Sequence, residues 1–267
     1  IGIRLNPEHS ESATELYDPS APRSRLGLKV FEWNDDLLQH IDGVHMHNLC
    51  ENDSFALERS LSALERRFGF MLQRVKWINM GGGHHITRPG YDRDHMTSLL
   101  RAWRERYGHT IYLEPGEAFG LGVGVLKATV LDIKPAPPDD MPSAILSVSA
   151  TAHMPDTLEM PYRPDIHGAG TVGEKPHCYR LGGLTCLAGD VIGEYSFDRP
   201  LGIGDPIILM DMAHYTMVKT SFFNGVQMPA IAIFDQETGT TDIVRAFSYR
   251  DYADKLKIGR ASCRERV

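Results

Sequence analysis

The chain has 267 residues, 42% of them apolar and 24% charged, with a formal charge of −7. That length suits two domains with a sizeable core, the acidic balance argues against a nucleic-acid binder, and no apolar run is long enough to span a bilayer as a helix. The four cysteines, Cys50, Cys178, Cys186 and Cys263, show no Cys-x-x-Cys pairing, which points to free thiols in a reducing, cytoplasmic setting rather than to a disulfide framework or structural zinc.

In chain order, Gly2–Leu5 and Gly43–His47 read as strands. Ser54 is expected to cap a helix with Phe55, Leu57, Leu61, Leu64 and Phe68 at helical spacing. Val75–Asn79 is a third strand. Asp92 then caps a helix with Met96, Leu99, Leu100, Trp103 and Tyr107 on one face, and Ile111–Glu114 is a fourth strand. Strands joined by helices predict a parallel sheet, either a (β/α)8 barrel or an open doubly wound sheet. After Glu114-Pro115-Gly116 the pattern changes. Residues 120–133, 144–150, 206–210, 230–234 and 243–248 read as strands between turns, which predicts an all-β domain, a barrel or sandwich.

The expected organisation is therefore a partial (β/α)8 barrel over 1–118, a β domain over 119–256 and a non-native tail over 257–267, whose basic bias and lack of periodicity set it apart. Four strands make half a barrel and leave open edges, so the rest of the barrel is expected before Ile1.

Trp77-Ile78-Asn79-Met80-Gly81-Gly82-Gly83-His84-His85 runs from a strand into three glycines. Such a loop either holds an anion such as a phosphate on its backbone amides or makes a tight turn. His45 and His47, two residues apart on one strand face, fit a metal pair, a ring stacked on a planar cofactor, or a polar strand end; His84 and His85 are the further candidate ligands. Glu114 ends the fourth strand, where barrel enzymes place catalytic groups. There it fits a partner for a pyridinium nitrogen, or a surface carboxylate before a turn. Cys186 sits in the glycine-rich loop Gly182-Gly183-Leu184-Thr185-Cys186-Leu187-Ala188-Gly189-Asp190, as an exposed reactive thiol or a small buried one. Tyr215 offers a hydroxyl to a phosphate or fills a core. Phe222-Phe223-Asn224-Gly225 walls an apolar channel or makes a turn.

Taken in this order, these segments resemble the fold-type III pyridoxal 5'-phosphate (PLP) decarboxylases, the alanine-racemase-like group that holds ornithine and diaminopimelate decarboxylases. The resemblance runs from Gly2 to about Leu256. It is strongest toward the carboxynorspermidine/carboxyspermidine decarboxylases, through His47-Asn48-Leu49-Cys50-Glu51, Asn79–Thr87, Glu114-Pro115-Gly116-Glu117-Ala118, His153-Met154-Pro155-Asp156 and Cys186-Leu187-Ala188-Gly189-Asp190.

The resemblance implies a cytoplasmic PLP-dependent carboxy-lyase of polyamine biosynthesis, forming norspermidine or spermidine in a homodimer with shared active sites. His47 would stack on the cofactor ring, Gly81, Gly82 and Gly83 would hold its phosphate, Glu114 would face its ring nitrogen and Tyr215 would bind the phosphate. Cys186 would return a proton to the substrate's α-carbon from the partner subunit, and Phe223 would line the substrate channel. Glu117 stands where ornithine-type relatives carry a phosphate-binding Arg, and Leu187 stands where they carry an Asp. Glu117, Asp156 and Asp190 are therefore the expected contacts for ammonium groups of a cationic substrate, and no metal is expected. None of the lysines matches the family's Schiff-base lysine, which is expected upstream of Ile1, so the chain by itself is expected to be inactive and unstably folded. A diaminopimelate decarboxylase-like enzyme, a non-catalytic regulatory homologue and a metal-dependent barrel hydrolase are the alternatives.

Overall fold

The computed structural model describes residues 1–256; the tail 257–267, with Cys263, lies outside the described residues. The chain divides into two compact units, residues 1–121 and the residues from Gly122 onward. None of the described helices is long and apolar enough to cross a membrane.

The first unit is built on four parallel strands in chain order, β1 (Gly2–Arg4), β2 (Gly43–His45), β3 (Trp77–Asn79) and β4 (Thr110–Tyr112). Their register aligns Ile3, Val44, Ile78 and Ile111 in one row and Arg4, His45, Asn79 and Tyr112 in the next. Side chains alternate across a strand. The middle row therefore joins the apolar core under helix α1 (Ser54–Leu72), with Leu57, Leu61, Leu64, Phe68 and Met71, and the row that follows leaves polar groups on the opposite face. On that face the Trp77 ring lies across Gly2 and Gly43, where a Cβ on either glycine would collide with it.

Helix α2 (Arg93–Tyr107) follows β3, with Asp92 accepting from the His95 amide and Gly108 closing it in the left-handed region at φ +71°. A five-residue helix, α3 (Gly116–Gly120), follows β4. Three expectations change here. The cap of α1 is Asp53, whose carboxylate accepts from the Ala56 amide; Ser54 is the first helical residue, buried, and hydrogen-bonded to His95 Nδ1 at 2.9 Å. Phe55 leaves the core face and stacks on the His95 ring at 4.1 Å. Between β1 and β2 the chain forms only 3-10 turns, and Trp33 from this stretch packs edge-on against Phe68 and Phe70.

In the second unit, β5 (Val125–Lys134), β6 (Ser143–Leu146), β7 (His177–Gly182), β8 (Val191–Phe197) and β9 (Pro206–Met210) form a mixed sheet in the order β8-β7-β6-β5-β9. Only the β6–β7 pair is parallel. β10 (Ile231–Phe234) and β11 (Thr241–Arg245) make a separate antiparallel pair. Four short helices stand between or after these strands: α4 (Ala150–His153), α5 (Asp156–Glu159), α6 (Tyr215–Val218) and α7 (Tyr249–Lys255). The expected strand over 144–150 thus stops at Leu146, and Ala150 opens α4. The core gathers Val130, Leu146, Leu181, Tyr195, Leu209 and neighbours, mainly from one face of these strands, as their two-residue spacing requires.

Candidate active site

In the first unit the strand ends bring His45, His47, the glycine loop and Glu114 together. The carboxylate of Glu114 accepts from the Asn79 side-chain amide at 2.7 Å and lies 3.6 Å from His45 Nε2. His47 Nδ1 accepts from the Gly82 amide at 3.3 Å, and its carbonyl accepts from Arg4 at 2.7 Å. Burial pulls the His47 ring's pKa down, Arg4 and His45 pull it further and Glu114 opposes them. His45 is lowered first by burial, against Glu114. Both rings are therefore neutral at neutral pH.

The glycines are dictated by close approach. Gly81 and Gly83 have φ of +71° and +80°, a region open to glycine. A Cβ on Gly82 would sit 2.5 Å from the Glu114 carbonyl and one on Gly81 2.5 Å from the Met46 carbonyl, while one on Gly83 would run into the Leu49 carbonyl. The loop thus lies backbone against backbone beside the strand ends, bare of side chains.

Glu117 turns to His85, with 3.4 Å between carboxylate and Nε2, and Glu51 joins them in a group whose donor atoms lie within 4.8 Å of one another. His45, His47 and Glu114 form a second such group, in which Glu114 supplies a carboxylate beside the histidine pair. His84 is buried and its Nε2 reaches the Met80 carbonyl at 3.2 Å, away from that pair's donor group.

In the second unit Cys186 is exposed in the loop between β7 and β8. Its amide donates to Asn224 Oδ1 at 2.8 Å, which brings the Phe223-Asn224-Gly225 turn to the thiol's own residue. Asp190 departs from expectation. It is buried, and its carboxylate accepts from Ser149 Oγ at 3.0 and 2.9 Å, from the Thr185 amide and hydroxyl at 3.0 and 2.7 Å, and from the Thr151 amide at 3.2 Å. Burial pushes that carboxyl up, but these hydrogen bonds outweigh it and hold it below the usual carboxylate range. Asp190 pins the root of the Cys186 loop, and its oxygens are taken up by the protein itself, which leaves none of the expected role for it as an ammonium contact. Asp156 meets an ammonium already, Lys219 Nζ at 2.5 Å, which Glu159 shares at 2.7 Å. Tyr215 is half exposed at the start of α6, with Lys219 Nζ 5.7 Å from its ring centre, so it is no core tyrosine. Phe223 is also partly exposed.

No family model matches the chain. It is 45% identical over 256 residues to a carboxyaminopropylagmatine decarboxylase of Synechocystis sp., covering 96% of this chain and 65% of that protein. Two carboxynorspermidine/carboxyspermidine decarboxylases, from Campylobacter jejuni and Herminiimonas arsenicoxydans, are each 41% identical, and the match covers 68% of each and 95% and 96% of this chain. The chain belongs to the fold-type III PLP-dependent decarboxylase family. Among solved structures, carboxynorspermidine decarboxylase from Campylobacter jejuni, complexed with norspermidine, superposes with a TM-score of 0.83 at 40% identity, over 95% of this chain and 68% of that one. A diaminopimelate decarboxylase superposes at 0.78 and 20% identity and shows the shared fold: part of the barrel, then the β domain. The chain thus spans about two thirds of the length of the decarboxylases it matches.

As a family member, the chain can be tested for fit to PLP. The bare glycine backbone suits a phosphate, which backbone amides bind without side-chain interference. Glu114, with one oxygen fixed by Asn79, is a preset acceptor, and the half-buried neutral His47 ring beside Gly82 offers a flat face. The donor set fits the group. Sequence reasoning missed Arg4, Asn79 and Asn224; the signal for the first two was their place at the ends of strands that pair with the histidine strand.

Proposed function

We propose that the protein is a PLP-dependent decarboxylase of polyamine synthesis that converts carboxynorspermidine or carboxyspermidine to norspermidine or spermidine. The observation that carries this reading is the meeting of His47, the glycine loop and an Asn79-held Glu114 at one end of the parallel sheet, in a chain 41% identical to decarboxylases of those substrates. PLP, when bound, supplies the electron sink for loss of the carboxylate.

This chain's residues then have distinct tasks. His47 packs its neutral ring on the cofactor plane. The amides of Gly81, Gly82 and Gly83 would hold the phosphate, and the Tyr215 hydroxyl is offered as a phosphate ligand on the family resemblance alone. Glu114 keeps a proton on the ring nitrogen, and Asn79 keeps Glu114 aimed. Cys186 carries the proton that is returned to the substrate's α-carbon, and Phe223 walls the channel. Glu117 and Asp156 receive substrate ammonium groups, Asp156 beside the Lys219 ammonium with which it pairs. A homodimer with shared sites belongs to the same reading.

The 45% identity to a carboxyaminopropylagmatine decarboxylase favours a second reading, a substrate that ends in a guanidinium instead of an ammonium. The deciding experiment is CO2 release by the product of the complete reading frame with PLP. Carboxynorspermidine, carboxyspermidine, carboxyaminopropylagmatine, meso-diaminopimelate and ornithine are compared side by side. Turnover of the first two supports the proposal. Turnover of the third alone moves the protein to the guanidino substrate, and turnover of the fourth or fifth alone overturns both readings.

A further inference from the structure

The loop between β7 and β8 is held at its root from inside. Asp190 binds Ser149, Thr151 and Thr185, and the Gly183 amide donates to its carbonyl at 2.9 Å. Those bonds leave the tip, Cys186 to Gly189, exposed. Within the loop the Leu187 carbonyl accepts from the Asp190 amide at 2.9 Å; from outside the loop, the Cys186 amide donates to Asn224 Oδ1 at 2.8 Å. Asn224 adopts φ +56° and ψ 14°, the left-handed region that side-chain-bearing residues avoid and Asn tolerates best. Its turn is anchored in turn. The Gly225 amide donates to the Phe222 carbonyl at 2.8 Å, the Ser221 amide donates to the Ala152 carbonyl at 2.8 Å, and Phe222 packs edge-on against Phe247 and Tyr252. Ala152 belongs to α4, the helix whose Thr151 amide binds Asp190. The root and the tip of the Cys186 loop are thus referenced to one short helix, the root through Asp190 and the tip through Asn224.

We infer that Asn224 is a positioning residue for Cys186: its strained backbone and anchored turn present Oδ1 to the Cys186 amide and fix where the thiol stands. This rests on the reading that Cys186 delivers a proton. Proton transfer demands placement of donor and acceptor within hydrogen-bond reach, and an exposed loop tip lacks that precision without a tether. Asn224 acts through Cys186 and does not itself meet the substrate.

The test uses three variants of the complete protein. Asn224→Gly keeps the left-handed backbone and removes the acceptor; Asn224→Asp keeps both; Cys186→Ala removes the thiol. Amide exchange over residues 184–189 is measured beside kcat and KM for CO2 release and the yield of amine product per CO2. In Asn224→Gly, exchange at the tip rises, kcat falls about five- to tenfold, as loss of one hydrogen bond implies, and KM stays. In Asn224→Asp, protection and kcat return. Unchanged exchange in Asn224→Gly overturns the tether. Lost protection with unchanged kcat and product yield, or an Asp variant as impaired as the Gly variant, overturns the positioning role. Cys186→Ala with unchanged rate and product overturns instead the reading on which the inference rests.

Discussion

Asn79 and Glu114 are joined by a 2.7 Å hydrogen bond, so the strand that feeds the glycine loop also aims the carboxylate at the end of the next strand. The amide leaves the carboxylate its charge, and a hydrogen bond to a charged acceptor contributes about 1.5–3 kcal/mol. Asn79→Ala is expected to lower kcat about 10- to 100-fold with little change in fold, and Glu114→Gln by more, because a neutral amide cannot hold a proton on a pyridine nitrogen. Single-turnover CO2 release with PLP saturating is the measurement. An Asn79→Ala enzyme with wild-type kcat would remove Asn79 from the site.

How much of this was legible beforehand differs between elements. The glycine loop, His47 and Glu114 could be read because each is marked by its own local sequence. α1 and α2 could be read because apolar residues recur at helical spacing. Arg4 and Asn79 could not, since a lone polar residue gains its meaning only when parallel pairing sets Arg4, His45 and Asn79 side by side. β7 and β8 escaped notice because outward residues such as Arg180 and Glu194, which pair across the two strands at 2.7 Å, break up the apolar run. The α1 cap is ambiguous in sequence because two capping residue types, Asp53 and Ser54, stand next to each other, and only the burial of Ser54 distinguishes them. Asp190 looked like a ligand contact because a sequence does not show that Ser149, Thr151 and Thr185 already satisfy it.

The glycines are predicted to rank by their surroundings. Gly83→Ala combines a positive φ with a clash against the Leu49 carbonyl and is expected to be the most damaging. Gly82→Ala meets the Glu114 carbonyl at 2.5 Å without needing a positive φ, and overpacking of this kind costs about 1–3 kcal/mol. Gly69→Ala, within α1 with open space around it, is expected to stabilise by about 0.5–1 kcal/mol through helix propensity. Urea unfolding followed by tryptophan fluorescence reports this directly, because Trp33, Trp77 and Trp103 all lie in the first unit. Equal destabilisation by all three would refute the packing account.

The donor set His45, His47 and Glu114 also suits a zinc ion. In a PLP enzyme those groups serve the cofactor, so chelator treatment is expected to leave CO2 release intact. Added Zn2+ is expected to inhibit, with excess PLP relieving the inhibition. Activity lost to a chelator and restored by zinc would instead support the hydrolase alternative.

His153 makes the β domain sensitive to acid. Its ring is buried, with Nδ1 accepting from the Ser149 amide at 3.1 Å. Burial pulls its pKa down to about 4, against the opposing pull of Asp190 and the Gln227 backbone. In the unfolded chain the ring titrates near its ordinary 6.5. Between those values the unfolded state takes up a proton that the folded state refuses, so stability falls as pH drops from about 6.5 toward 4 and the loss levels off below. Over that window the effect amounts to roughly 3 kcal/mol. Urea-dependent amide exchange in β7 and β8, compared at pH 7 and pH 4.5, should show this loss in the wild type. His153→Asn, which keeps an acceptor but does not titrate, should show a flatter dependence. Identical pH slopes for the two proteins would mean that another group governs the acid response of this unit, and a ring titration near 6.5 by NMR would show that His153 is open to solvent in the folded protein.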